Sequence, residues 1–475
     1  MSRIWSMVDV GKRALVNSQT ALQTVAHNVA NKETEGFSRQ RVEIKSNLAT
    51  GSGNVRIGMG SKTGAVTRIN NSYIEKQIEQ EGSKFGYSDS RAESLGRVEQ
   101  VFNEQTNKGL NQFVTEFFNS FRELSNNPES LASRTLVKET GDFLTKDFGR
   151  VHRNLTDIQK DLDFQIVNSV AEINDMSREI AELNRQIQHV EITGAKANDE
   201  RDRRDLLIKN LSEKIEIRYA ENDEGQVTIT AGKSAVLVSG LSARELKAVE
   251  SPETATKRES NVDIFYIPGE KNTPVNITNH IKGGRVGGLL DVRDNVINEH
   301  IREIDQMAYT LQENVNRIHT RGFDNYNQAG QAFFEPLAGP KDAAQKLSLN
   351  RNILGDVGLI AAAAAPGSPG DNRIANVISA LQYQKVMDDK SATVDDYYAS
   401  VVGRIGVESS RANTARDTLN DSLGQLKNIR ESISGVSLDE ETTKMIEFQK
   451  SFDASARLIR TADEMLETVL NLKRL

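Results

Sequence analysis

Two narrow apolar stripes, one near each extremity, restrict this chain more than any other feature. Near the start, Ile4, Val8, Gly11, Leu15, Ser18, Leu22, Val25 and Val29 alternate spacings of four and three. Near the end, Leu438, Met445, Phe452, Ile459 and Leu466 recur at heptad spacing, with Phe448, Ala462 and Val469 following on the same face. Each stripe reads as one side of a coiled coil. Neither has a neighbouring segment to cover it, so the economical expectation is that the two ends cover each other. Gly11 is a poor choice for an isolated helix, and the first helix therefore depends on packing. Ser437 with Glu440 fits a capping box at the start of the last helix, and Gly435 breaks what precedes it.

Between the stripes the pattern is helical. Residues 85–125 and 130–152 read as helices separated by N-N-P-E at 126–129, where Pro128 suits a helix start. Residues 154–192 and 289–319 hold apolar positions at helical spacing, and 372–390 and 393–434 read as helices too. The stretch A-A-A-A-A-P-G-S-P-G at 361–370 is a loop, because Pro366 and Pro369 end any helix. Residues 212–282 change period. I-E-I-R-Y-A, Q-V-T-I-T-A, S-A-V-L-V and V-D-I-F-Y-I alternate or run β-branched, separated by the turn clusters E-N-D-E-G and I-P-G-E-K-N. The expected fold is mainly α with a small β insert. Residues 1–60 with 436–475 form a terminal coiled coil, 61–211 with 284–435 an elongated helical-bundle body, and 212–283 a small β domain.

Bulk properties exclude several classes. A net charge of −7 over 475 residues, with no basic segment, argues against a nucleic-acid binder. The absence of cysteine excludes disulfides, thiolate nucleophiles and Cys-ligated metals. No apolar run reaches the length needed to cross a bilayer, so no membrane insertion is expected. The N-terminus carries Arg3, Asp9, Lys12 and Arg13 and lacks the apolar centre of a secretory signal.

Local patterns that suggest catalysis fail on spacing. A-G-K-S at 231–234 ends like a phosphate loop, but Val227 stands where the first glycine is needed. A-E-N-D-E-G at 220–225 would begin a calcium loop on Ala220 and end it on Ala231, neither of them a ligand. G-G-R-V-G-G at 283–288 lacks the strand and acidic partner of a dinucleotide loop. The six histidines are scattered and are expected mostly on helix surfaces, with His27 facing a neighbouring chain as an alternative. E-R-D-R-R-D at 200–205 reads as a solvated, salt-bridged helix face. No catalytic residue, metal site or cofactor site is assigned, and an enzyme is not expected.

The stretch A-H-N-V-A-N-K-E-T-E-G-F-S-R-Q at 26–40 resembles the A-x-N-[ILV]-A-N-x-x-T-x-G-[FY] signature of bacterial flagellar rod, hook and hook-associated proteins. The stretch V-S-L-D-E-E-T-T-K-M-I-E-F-Q at 436–449 and its continuation look like the matching terminal helix. In the body, A-K-A-N-D-E-R-D-R-R-D-L-L-I-K-N-L-S-E at 195–213, G-G-R-V-G-G-L-L-D-V-R-D at 283–294, P-G-D-N-R-I-A-N-V-I-S-A-L-Q at 369–382 and Y-Y-A-S-V-V-G-R-I-G at 397–406 are similar to segments of the hook-associated members. Glu200 and Arg201 depart from that pattern, where relatives carry apolar residues.

The resemblance implies a non-catalytic axial subunit at the hook–filament junction. It implies export without a cleavable signal through the flagellar type III apparatus, an extracellular location on the flagellum, and a ring of about eleven copies, a family property rather than a consequence of symmetry rules. Implied partners are the hook protein, a second junction protein and an export chaperone. The physical reading adds an assembly interface of Ile4, Val8, Leu15, Leu22, Val25, Val29, Met445, Phe448, Phe452, Ile459 and Leu466, left uncovered and disordered in the monomer. Asn28, Asn31, Gly36 and Phe37 of the signature are expected to end the first helix, the Asn and Gly through left-handed geometry and Phe37 as an anchor. A hook or distal-rod protein, or less directly a flagellum-associated wall-remodelling enzyme, is the alternative.

Overall fold

A computed structural model describes residues 2–49, 58–102, 109–250, 261–269 and 273–472. The chain opens with helix α1 (Ser2–Ala30) and a hairpin of β1 (Gln40–Ser46) and β2 (Ser61–Arg68). Helices α2 (Ser72–Phe102), α3 (Leu110–Asn126), α4 (Leu131–Glu191) and α5 (Asn198–Lys214) follow. The helix expected over 85–125 is thus two, and the part of it at 103–108 lies outside the described residues. The two helices expected over 130–192 are one, 61 residues long. Ser130 caps it by accepting from the Ser133 amide, and no proline interrupts it. The hairpin β1–β2 pairs residues on both sides of position 60, so the boundary expected there falls inside a hairpin.

The insert carries β3 (Ile217–Glu221), β4 (Val227–Ala231), β5 (Ala235–Ser239) and β6 (Ser242–Ala243) in one antiparallel sheet. A second sheet holds β7 (Glu245–Glu250), β8 (Val262–Ile267) and β9 (Val275–Asn276). Both sheets lie against α4, where Asn174 bonds both backbone groups of Leu246 and Asn184 bonds Val227 in the same way. A-G-K-S is the β4–β5 turn, with Gly232 at φ +54°, and E-N-D-E-G is the β3–β4 turn. The expected I-P-G-E-K-N turn lies partly outside the described residues.

The chain re-enters the body through α6 (Gly284–Asp291), a π-helical turn at Val292–Ile297, and α7 (Asn298–His319). Gly288 is required here, because a Cβ would lie 2.4 Å from the Tyr87 carbonyl of α2. The short helices α8 (Ala343–Lys346), α9 (Arg351–Gly355) and α10 (Arg373–Ala380) lead to α11 (Val394–Ser434) and α12 (Leu438–Leu472). The helix expected over 372–390 is shorter: it ends at Ala380, a 3-10 turn at Leu381–Tyr383 and an extended Gln384 follow, and Asp388, Asp389 and Lys390 further on take left-handed backbone angles. The body core is continuous from α2 to α11 and is densest around Phe117, Phe118, Phe121, Phe148, Phe333 and Phe334, all fully buried. Each such ring contributes roughly 1.5–3 kcal/mol of burial. Against it sits His319, buried, with Nδ1–H donating to the Gln331 carbonyl at 2.6 Å and Nε2 accepting from the Ala361 amide at 2.8 Å. His152 and His300 are buried as well, so the expectation of surface histidines fails for half of them.

Candidate assembly interface

The two terminal helices pack on each other, and they do so antiparallel. Gly11 meets Ile459 and Leu458, Ser18 donates to Ser451 at 3.2 Å, and Asn28 donates to Glu441 at 2.9 Å. The central line of contact is made of small and polar side chains: Gly11, Ser18 and Ala21 on α1, and Ser455 and Ala462 on α12, all buried. Small residues let the backbones approach closely. The large side chains of the expected stripe are therefore displaced to the flanks. Of the eleven residues read as an assembly interface, only Val25 is fully buried. Ile4, Val8, Leu15, Leu22, Val29, Met445, Phe448, Phe452, Ile459 and Leu466 remain partly exposed. Outside them Trp5, Val16, Ile446 and Met465 are exposed by 61, 47, 54 and 47%. Among the described residues, no secondary-structure element besides α1 covers α12 substantially.

A polar hub fastens this hairpin to the body. The signature residue Asn28 is buried near the end of α1, where its side chain bonds both the carbonyl and the amide of Gln40, each at 2.9 Å. Neither Asn28 nor Asn31 takes left-handed angles, contrary to expectation. Asn28 is drawn inward by these bonds, and Asn31, in the turn just past α1, donates back to the His27 carbonyl. Gly36 alone makes the left-handed turn, at φ +80°, with Leu206 against its α-carbon. Phe37 is buried edge-on to His27, which also faces Asp199 at 3.4 Å within the same chain. The Arg39 guanidinium grips Glu441 at 2.7 Å and Glu440 at 2.6 Å, and its amide bonds the Ser434 carbonyl.

From the body, α5 meets the same loop. Asp202 accepts from the Ser38 amide at 2.9 Å and pairs with Arg68 at 2.7 Å, while Asp199 accepts from Gln40 at 2.7 Å. Burial pushes Asp202 up, against the pull of Arg68 and the Ser38 amide. E-R-D-R-R-D is therefore not a solvated face. Asp202 and Arg204 are 6 and 1% exposed, and Arg204 donates to Asn184 and the Gly225 carbonyl and pairs with Glu221. The departing residue Arg201 bridges Glu191 and Glu221, so an ion-pair cluster stands at that position. The N-terminal signature and the A-N-D segment of the body, read separately as motifs, touch each other here. Sequence reasoning missed Arg39, Arg68, Glu75, Arg430 and Glu441, each with a partner more than a hundred positions away and of a type common on surfaces.

Arg430, near the end of α11, completes the hub. Its side chain is buried, pairs with Glu75 and Glu431, and donates to the carbonyls of Gly36 and Phe37 at 2.9 and 3.0 Å. Glu75 also pairs with Lys209. One turn along α2, Glu79 accepts from the Tyr219 hydroxyl at 3.1 Å. Burial, opposed by the Tyr219 bond, raises Glu79 to about 7.

That shift has a readable consequence. Between pH 4.5 and 7 folded Glu79 keeps a proton that the unfolded chain has released, so it lowers stability as pH rises, by up to about 3 kcal/mol. Burial lowers His319 to about 4. From pH 4 to 6.5 the unfolded histidine holds a proton that the folded one lacks, so His319 raises stability with pH by a similar amount. The two slopes oppose each other in the intact chain. Glu79→Gln, which keeps the oxygen that Tyr219 bonds, leaves the His319 slope uncovered. Urea unfolding from pH 4 to 7 then shows a net rise in stability, by up to about 3 kcal/mol more than wild type; an unchanged profile contradicts the assignment.

A cleft of about 500 Å³ between α2 and α11 has Glu213 and Asp421 on its wall, both exposed.

Known proteins match this arrangement. The model of the flagellar hook-associated protein FlgK helical domain matches residues 95–334, and that of the flagellar basal body rod FlgEFG protein C-terminal region matches 431–472. Flagellar hook-associated protein 1 of Bacillus subtilis is 28% identical, covering 99% of both chains. Its namesake from Escherichia coli is 24% identical over 98% of this chain and 100% of its own. The flagellar hook junction protein FlgK from Burkholderia pseudomallei superposes with a TM-score of 0.68 at 14% identity, over 75% of this chain and all of that one, and so shares the fold. The chain belongs to the flagellar hook-associated protein FlgK family.

Proposed function

We propose that the chain is a structural subunit of the bacterial flagellum that joins hook to filament, and that α1 with α12 is an unfinished wall of the axial tube. The observation that carries this reading is the hairpin itself, whose close contact uses small residues and leaves the large apolar ones on its flanks. Ile446 and Met465, about half exposed, each hold roughly 1 kcal/mol of burial still to be realised. Copies stacked side by side supply that burial. On this reading the partners are further copies in a ring of about eleven subunits, the hook protein on one side and a second junction protein on the other. Export as an unfolded chain through the type III apparatus, with a chaperone on the terminal helix, suits a hairpin that gains its order on docking. Among the described residues no helix is long and apolar enough to cross a membrane.

Removing residues 1–30 or 440–475 is expected to leave a soluble, folded body that no longer enters flagella. Incorporation is measured by probing sheared filaments from cells lacking the resident copy, and body folding by circular dichroism. In the full-length monomer, amide exchange is expected to be fast over residues 4–29 and 438–470 and slow across α4. Slow exchange along α1 and α12 in the monomer refutes the unfinished-wall reading.

A further inference from the structure

We propose that His152, Asp305 and Asp342 bind one transition-metal dication, Zn2+ in the first instance, which staples the loop ahead of α8 to the two long helices α4 and α7. This is the only set of three metal-capable side chains drawn together among the described residues, with one ligand atom from each lying within 4.8 Å of the others. His152 Nε2 stands 3.8 Å from Asp305 Oδ1. Ligands of a tetrahedral Zn2+ at about 2.0–2.2 Å sit roughly 3.3 Å apart, so closure asks for about half an ångström between His152 and Asp305 and up to about 1.5 Å elsewhere in the set. Asp342 supplies that freedom, since it lies on a loop while the other two stand on helices.

The site is ordered before any ion arrives. His152 and Asp305 are 1 and 4% exposed, and Asp305 is oriented by two backbone donors, the amides of Asp342 at 3.0 Å and Ala344 at 2.9 Å. Such outer bonds fix a ligating carboxylate in place. Asp342 is partly exposed, which gives the ion an entry path and a water its fourth position. Lys346 pairs with Asp342 at 3.0 Å, with Lys341 adding to the positive field there; Lys346 is a largely exposed partner four residues on, and exposed pairs of this kind yield at little cost. One imidazole with two carboxylates suits Zn2+, Mn2+ or Co2+. It is too poor in oxygen for Ca2+, which takes six to eight such ligands.

Calorimetric titration of the chelator-treated full-length chain with Zn2+ tests the site, with Co2+ absorption as a coordination probe. The expected result is one Zn2+ per chain at micromolar Kd or tighter, and a Tm that rises with Zn2+. Asp342→Asn keeps a residue that tolerates the local φ of +57° and is expected to weaken binding at least about tenfold with the metal-free Tm unchanged. His152→Asn tests the imidazole, and if it fails to fold Asp342→Asn still decides. His27→Ala, which removes the surface His27–Asp199 pair, leaves binding as it was. Absence of Zn2+ binding, or binding that Asp342→Asn does not weaken, overturns the proposal.

Discussion

Replacing Gly11 with leucine is expected to abolish incorporation into flagella while the helical body keeps its Tm. A Cβ at Gly11 would lie 2.7 Å from Ile459 Cγ1 and 2.9 Å from Leu458 Cδ2, closer than carbon atoms approach without something moving. Ile459 Cγ1 is not the free end of a flexible chain, so α12 itself must retreat. Overpacking of this kind costs about 1–3 kcal/mol in a well-packed site, and in a ring of identical copies every subunit incurs it. The opposite effect operates on the isolated helix, where replacing glycine is worth up to about 1 kcal/mol of helix propensity. Gly11→Leu therefore makes α1 more helical and assembly worse. Swimming assays and blots of sheared filaments read the assembly; circular dichroism of the monomer reads the helicity. Wild-type motility in the variant would mean that the contact of Gly11 with α12 is not part of the assembled wall.

The same residue shows what sequence could and could not tell. The four-three spacing of α1 and the heptads of α12 were plain in the residues, because burial along a helix leaves a period of its own. Which line of the stripe faces the partner was not plain. Large aliphatic residues look like the centre of a seam, yet Gly11, Ser18, Ser455 and Ala462 occupy it, since close approach rewards small side chains. Period also identified the long body helices and strands β3, β4, β5 and β8. It missed the β1–β2 hairpin, where Arg41, Ile44 and Lys45 are all exposed and no alternation marks a buried face. The hub was legible only as two separate motifs. Asp202, Arg204 and Arg430 are charged residues on helices, and composition places such residues in solvent until their tertiary partners on other elements are known, which for Asp202 and Arg430 lie more than a hundred positions away.

Those partners also explain why the hub is polar. The hairpin must leave the body at a fixed angle, but its apolar surface is committed elsewhere, to the other terminal helix and, on the proposed reading, to neighbouring copies. Directional bonds then hold the angle. Asn28 reads both backbone groups of Gln40, Asp202 reads the Ser38 amide, and Arg430 reads the Gly36 and Phe37 carbonyls. A hydrophobic joint of equal area could slide; this one cannot without breaking charge-assisted bonds. Buried ionic networks do not always add stability over an apolar replacement, so orientation is the property to test.

Arg430→Met is expected to do the greatest damage of any single change in the hub. It removes the guanidinium that bonds two loop carbonyls and leaves Glu75, 6% exposed, with Lys209 as its remaining cation. Breaking a buried pair from one side costs about 3–5 kcal/mol when the carboxylate left behind is uncompensated, and Lys209, which still pairs with Glu75, brings the expected loss toward the lower end of that range. Against the cost of its burial, Glu431 and Glu75 raise the pKa of Arg430, so the native state binds its charge in place. Glu75→Gln in the Arg430→Met background removes the stranded charge and is expected to recover a part of the loss, a coupling of about 1–3 kcal/mol in a double-mutant cycle. Stability measured by urea unfolding gives that coupling. The loop carbonyls stay unsatisfied in the double variant, so incorporation into flagella is expected to remain poor even as stability returns. Should the double variant assemble as well as wild type, the hub contributes stability alone and the angle between hairpin and body is set by something other than Arg430.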